Sequence, residues 1–314
     1  MKSQYLPIKP KGLLFSNIFS LASRVGFGVF LFCSNHFLTG CTGGGGTGDA
    51  GESTPRAMLS DLIVGDSGLQ NCLLDVMEGE GILYVDELVK LTCRELIDGD
   101  GLEQLKALEV LEINYANQAV VDYLDLTSLT SLKEFSMQAL NITSINFSGS
   151  PDLEVIHTFG VPLKAIDITR NPSLRTLTVA LSEISQIDLS NNPKLEELDL
   201  YDTNLSEIDL SSNFELKDID LALNDIQEVD FSNNIHVTRL RIRRTSIANI
   251  DVSLMSNLIW LDIWSPITSL DVSHNLELKH LKILDAKMSC EKLRDIARLN
   301  QHIDNVEIPP ACIL

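Results

Sequence analysis

The sequence predicts a β-rich solenoid: about ten coils of about 21 residues, two short parallel strands in each coil, and short helical caps at both ends. Three observations carry this. An LxxLxL-type segment begins at Leu88, Leu108, Leu132, Leu153, Leu174, Leu195, Leu216, Val237, Leu258 and Leu278. Six consecutive intervals from Leu132 are 21 residues and the last is 20. Between these segments runs a second half-repeat of the form V/IxxI-D-L-S, often followed by Asn-Pro or another Asn pair. Alternating apolar residues mark a strand with one buried face. A unit this short cannot bury that face alone, so the coils must stack and seal one another.

The coil from Leu195 shows the pattern in full. Leu195, Leu198 and Leu200 form the first half, Leu205, Ile208 and Leu210 the second, and Leu216 starts the next copy. The second half recurs as Val121–Thr127, Ile142–Ser148, Leu163–Thr169, Ile184–Ser190, Leu205–Ser211, Ile226–Ser232, Ile247–Ser253 and Ile267–Ser273. Ten coils spaced about 4.8 Å apart make a stack of roughly 45 Å. Two irregularities interrupt it: about three extra residues within Asn114–Val120, and a turn after Ile263 that is one residue short and holds Pro266.

The outermost coils expose apolar edges and need covers. Ser67–Glu78 reads as a short helix with Leu69, Cys72, Leu73 and Val76 on one face, started by Asp66 or Ser67. Ser289 can start a second helix that runs to about Leu299. Cys72 would face Cys93, the third apolar slot of the first coil, while Cys290 and Cys312 share the other end. A disulfide needs Cα atoms within about 7 Å, so pairing across the length of the stack is impossible. Each bond would contribute about 3 kcal/mol by restricting the unfolded chain. The alternative is four buried free thiols.

The period and the LxxLxLxxN/T pattern resemble leucine-rich repeats. The pairing of LxxLxL with LDVSxN is similar to the 21-residue repeats of internalin-J-like bacterial proteins. The resemblance covers about Leu88 to Leu284. It implies that the strand with variable outward residues lines a concave side, where ligands of the family usually bind.

The front of the chain has a different character. Residues 1–40 combine Lys2, Lys9 and Lys11 with an apolar run densest in Val25–Phe32, as an export signal does. The run ends in Leu38-Thr39-Gly40-Cys41, which resembles a bacterial lipobox. That resemblance implies cleavage before Cys41, a lipid on its sulfur, and, because Thr42 follows, an outer-membrane destination in the cell envelope. Residues 41–56 are glycine-rich and polar, a flexible tether. The expected organisation is thus signal 1–40, tether 41–56, N-terminal cap 57–87, solenoid 88–284 and C-terminal cap 285–314. Of six cysteines, four remain once Cys33 and Cys41 are set aside, an even set suited to an oxidising compartment.

Charge and motifs narrow the function. A net charge of −20 argues against a nucleic-acid partner, whose phosphates need clustered Lys and Arg. None of the six histidines sits in HExxH or beside a Cys ligand pair, so no zinc site is expected. P-loop, GxSxG and GxGxxG patterns are absent from the repeat region, and no cofactor or catalytic residue is expected. An outward column reads Asp125, Asn146, Asp167, Asp188, Asp209, Asp230, Asp251 and Asp271. Its uniformity indicates a structural device whose carboxylates accept local hydrogen bonds. Calcium would need six to eight oxygens and is not favoured here.

The outward triplets of the LxxLxL strand vary freely, as a recognition face does. In parallel register, Arg239 falls between Asp218 and Trp260, Arg241 between Asp220 and Asp262, and Arg243 beside Trp264. With Tyr201 these residues make the candidate ligand-binding patch: Tyr201, Asp220, Arg239, Arg241, Arg243, Trp260, Asp262 and Trp264. Arg and aromatic residues dominate binding hot spots. The plainer reading of Arg239 and Arg241 is a self-neutralising ion ladder, which leaves Arg243, Tyr201 and the tryptophans to be explained. The expected role is a non-enzymatic, envelope-anchored module that binds a protein or peptide, or a glycan. The alternative is a structural or assembly lipoprotein without a ligand on that face.

Overall fold

The computed structural model describes residues 56–94, 96–114, 122–138 and 141–313. The signal segment, Cys41, the tether up to residue 55 and most of the insertion before Val121 lie outside the described residues. In chain order the elements are helix α1 (Ser67–Gly79), then β1 (Lys90–Cys93), β2 (Val110–Ile113), β3 (Tyr123–Asp125), β4 (Glu134–Gln138), β5 (Ser144–Asn146), β6 (Val155–Phe159), β7 (Thr176–Ala180), β8 (Glu197–Asp199), β9 (Asp218–Asp220), β10 (Arg239–Arg243), β11 (Trp260–Trp264) and β12 (His280–Leu284), followed by helix α2 (Cys290–Leu299) and β13 (Asn305–Glu307). The LxxLxL strands form one parallel sheet in the order β1-β2-β4-β6-β7-β8-β9-β10-β11-β12-β13.

The leucine skeleton points inward as expected. Leu195, Leu198, Leu200, Leu205 and Leu210 of one coil are all buried, and so are their counterparts Leu216, Ile219, Leu221 and Ile226 in the next. Buried asparagines hold the coils in step. The amide nitrogen of Asn192 donates to the carbonyls of Ile168 at 3.1 Å and Asn171 at 2.9 Å. Asn213 donates to Leu189 and Asn192, and Asn234 to Leu210 and Asn213. Each amide therefore spans to the preceding coil and adds a second donor to turn carbonyls that already accept a backbone N–H within their own turn.

The second strand of each coil is a partial exception. Among the described residues only β3 and β5 pair as strands there, extended by an isolated bridge between Asn146 and Asp167. Further along, successive coils share one backbone bond on this side, as from Asn204 N–H to Ile184 and from Asp225 N–H to Leu205. Asp188, Asp209, Asp230, Asp251 and Asp271 each accept the N–H of the residue two positions on, at 2.9 Å. Asp125 and Asn146 of the paired strands accept the same bond, so it marks the turn and does not end the pairing. Ile208, expected inside, is only half-buried.

The ends are closed by α1 and α2. Cys72 and Cys93 are bonded with Cα atoms 5.3 Å apart, and Cys290 and Cys312 with Cα atoms 4.9 Å apart. Asp66, not Ser67, starts α1. One of its oxygens accepts the N–H groups of Gly68 and Leu69, and the other those of Ile97, Asp98 and Gly99. A single buried carboxylate thus ties the helix to the loop after β1. Burial raises its pKa, but the backbone donors outweigh this and hold it below the usual carboxylate range. The C-terminal cover contains more than a helix. Strand β13 pairs with β12 as the last strand of the sheet.

We expect Asp66→Ala to lower the unfolding free energy by at least about 3 kcal/mol, because five hydrogen bonds to a charged group are lost and the N–H groups of Gly68 and Leu69 stay buried. Denaturant unfolding at pH 7 measures this. The Asp66 contribution is present above the unfolded carboxylate pKa of about 3.9 and is lost as pH falls through the lower folded value.

Candidate functional site

The outward side chains of the sheet form three columns, because successive residues of a strand face opposite ways. In the central columns the register places Arg239 between Asp218 and Trp260, and Arg241 between Asp220 and Asp262. Arg243 is paired with Trp264, and Asp262 with Lys282 of β12. The expected alignment of the patch is therefore the one that forms.

The ionic contacts run further along the stack than expected. Arg239 pairs with Asp218. Arg241 lies 3.2 Å from Asp220 and 3.5 Å from Asp218. Arg243 sits 3.8 Å from Asp220 and 3.7 Å from Asp262. So Arg243, which looked unpaired in the sequence, bridges two buried carboxylates and belongs to the same ladder. Asp220 and Asp262 are each 6% exposed. Burial pushes the Asp262 carboxyl up, while Arg243 and Lys282 pull it down; the net direction is upward.

The tryptophans occupy the next coil. Trp260 is 37% exposed and stacks on His280, with ring centroids 4.5 Å apart. Trp264 is flanked by two cations, Lys282 at 5.0 Å and Arg243 at 6.0 Å from its ring. Lys282 is the nearer partner, and Arg243 is at the limit of a cation–π contact. Tyr201 stands apart from this group. It is half-buried beyond β8, and the coil carrying the buried Ala222 separates it from Arg243.

The candidate patch read from the sequence leaves out Asp199, Asp218, His280 and Lys282, although parallel register sets Asp218 beside Arg239, Asp199 beside Asp220, His280 beside Trp260 and Lys282 beside Asp262. Asp199 is the most perturbed of these. Burial, then the neighbouring Asp220, push its carboxyl up to about 6, against the N–H of Tyr201 and the charge of Arg241. Among the described residues no three His, Cys, Asp or Glu side chains converge as a metal site would require. Among them, too, no helix is long and apolar enough to cross a membrane. The Asp column of the opposite side behaves as the sequence suggested, with its carboxylates taking N–H and hydroxyl bonds from the following Ser or Thr.

Solved structures share this architecture. The functional domain of InlJ from Listeria monocytogenes, which includes a cysteine ladder, superposes with a TM-score of 0.51 at 17% identity, over 81% of this chain and 71% of that one. The internalin InlF of the same organism gives 0.52 at 17% identity, over 82% and 94%. The octameric complex of Latrophilin 3, Unc5D and the leucine-rich-repeat protein FLRT2 contains a chain that gives 0.57 at 14% identity, over 72% and 89%. No family model matches the chain, and no characterised protein matches it by sequence. The fold is a leucine-rich-repeat solenoid of about 21-residue coils, of the kind seen in internalins.

Asp199 supplies a test of these electrostatics. Its folded pKa lies above the unfolded value, so its proton stabilises the fold. That stability is present below about pH 4, declines as pH rises toward 6, and is missing above it. Asp199→Asn keeps an acceptor for the Tyr201 N–H and is expected to add on the order of 1–2 kcal/mol at pH 7.5, after screening, and almost nothing at pH 3.5. Denaturant unfolding at the two pH values reads the difference. A loss of stability at pH 7.5 would mean that Asp199 is a well-paired anion instead.

Proposed function

We propose that this leucine-rich-repeat solenoid is a non-enzymatic interaction module, held to the bacterial envelope by a lipid on Cys41 and binding a protein or peptide through its sheet face around Tyr201–Trp264. The observation that carries the reading is the grouping on adjacent strands of Arg239, Arg241 and Arg243 with Trp260 and Trp264, on a face whose outward residues otherwise change from coil to coil. Asp220 and Asp262 hold the arginines in place, so a partner would meet a pre-ordered surface and lose little side-chain freedom on binding. FLRT2, a chain of related architecture, stands in a multi-protein complex, and this supports a partner of protein type. The expected location is the outer membrane, on either side of it, with the tether spacing the solenoid from the lipid.

A second reading is favoured by the ion ladder itself. Arg239, Arg241 and Arg243 all have carboxylates within 4.0 Å, so the face is electrostatically satisfied without a ligand. On that reading the protein is a structural or assembly lipoprotein.

The triple substitution Arg243→Ala, Trp260→Ala, Trp264→Ala separates the two. The binding reading expects partners captured by the wild-type protein from envelope extracts to be lost while the circular-dichroism spectrum of the folded solenoid is retained, some melting temperature being lost because Asp262 is left unpaired. Capture that survives the triple change favours the structural reading.

A further inference from the structure

The side of the solenoid opposite the sheet carries a second surface, independent of the reading above. From Ala165 to Ser269 a continuous trough of about 1210 Å³ runs along the stack. Its floor is aliphatic: Ile166, Ile187, Ile208, Val229 and Ile250, one from each coil. All but Ile166 are half-exposed, whereas their counterparts in β3 and β5, Leu124 and Ile145, are buried. The trough thus begins where strand pairing on this side ends. Asp188, Asp209, Asp230 and Asp251 form one wall, and Gln186, Glu207, Glu228 and Asn249 the other. Among the described residues none of these carboxylates makes an ion pair, in contrast to the acids of the sheet face. Hydrogen bonds from Ser190, Ser211 and Ser253 hold Asp188, Asp209 and Asp251 below the usual carboxylate range, so they stay charged at neutral pH.

An aliphatic stripe with fixed negative charge on both flanks defines its complement. The occupant needs an apolar stripe flanked on both sides by Lys or Arg. A β-strand cannot provide this, because its alternate side chains leave by the opposite face; a helix can. A second copy of the chain would bring acid against acid. Four coil spacings from Ile166 to Ile250 span roughly 19 Å, the length of a helix of about 13 residues. We propose that this trough docks a cationic amphipathic helix of a partner protein, about 13 residues long, with its apolar stripe on Ile187, Ile208 and Val229 and its basic flanks against the two acidic walls.

The test uses the whole protein and three labelled 14-residue peptides, with binding read by fluorescence anisotropy at 0.15 M salt. The first is a Leu/Lys peptide with helical periodicity. The second has the same composition in strict alternation, and the third replaces Lys by Glu. The proposal expects binding of the first alone. It expects at least a tenfold loss both for Ile208→Ser with Val229→Ser and for Glu207→Gln with Glu228→Gln, the latter pair being surface changes that leave the core intact. It expects no loss for Arg243→Ala with Trp260→Ala and Trp264→Ala. Equal binding of the alternating peptide, or indifference to Ile208 and Val229, would reduce the surface to general charge attraction and overturn the proposal. So would an absence of binding, or loss only in the sheet-face variant.

Discussion

The fold depends on one interaction repeated from coil to coil: a buried asparagine amide reaching back to two carbonyls of the coil before it. A solenoid of this type has little helix and, on one side, little strand pairing, so few backbone bonds join its corners from coil to coil. Asn171, Asn192, Asn213 and Asn234 add side-chain bonds there in an unbroken run. Ser150 opens the column with its hydroxyl on the carbonyl of Leu129 at 2.8 Å. Met255 takes the next place after Asn234 and contributes packing only. Asn275 resumes by donating to Val252 and Met255. Leucines fill the space between the coils, but the amides fix the distance and register at which they meet.

That register is what makes the sheet face and the trough continuous surfaces. Neighbouring coils present Asp220, Arg241 and Asp262 in line because nothing slips by a residue. The corner that ends each strand is held equally firmly. Gly160, Leu181, Asp202, Leu223, Arg244 and Asp285 share the left-handed conformation there, with φ between 53° and 69°. Side chains other than glycine lose roughly 1–2 kcal/mol in this region. The neighbouring coils impose it through bonds such as Leu181 N–H to Tyr201 and Arg244 N–H to Trp264. Tyr201 and Arg243 lie just before two of these corners, at Asp202 and Arg244, so the strained turns aim part of one edge of the candidate patch.

Much of this was legible in the sequence, for physical reasons. Leucine spacing reports directly on which residues face inward, so the coil count, the parallel register and the two disulfides could be read from it. Strand β13 was missed although Ile303, Val306 and Ile308 repeat the same apolar spacing. The helix before it reads in sequence as the end of the stack. Ile208 is expected inside because spacing alone cannot tell a buried side chain from a half-buried one; Leu124 and Ile145 hold the same place in their coils and are buried, where the strands pair. Charges are harder still. Arg243 looked unpaired because register pairs it with Ala222 and Trp264, yet its long side chain reaches diagonally to Asp220 and Asp262. The raised pKa of Asp199 depends on burial, which no periodicity reveals.

The role of the asparagine column can be measured most directly by equilibrium unfolding of Asn213→Ala beside Asn191→Ala. Asn213 is fully buried and bonds to two carbonyls, whereas Asn191 is exposed in the adjoining corner. If the column carries the stack, the first change lowers the unfolding free energy by about 2–3 kcal/mol, since two buried hydrogen bonds between coils are lost, and the second by less than about 0.5 kcal/mol. Two unfolding curves with the same midpoint would contradict the account and leave hydrophobic packing alone to hold the coils in register.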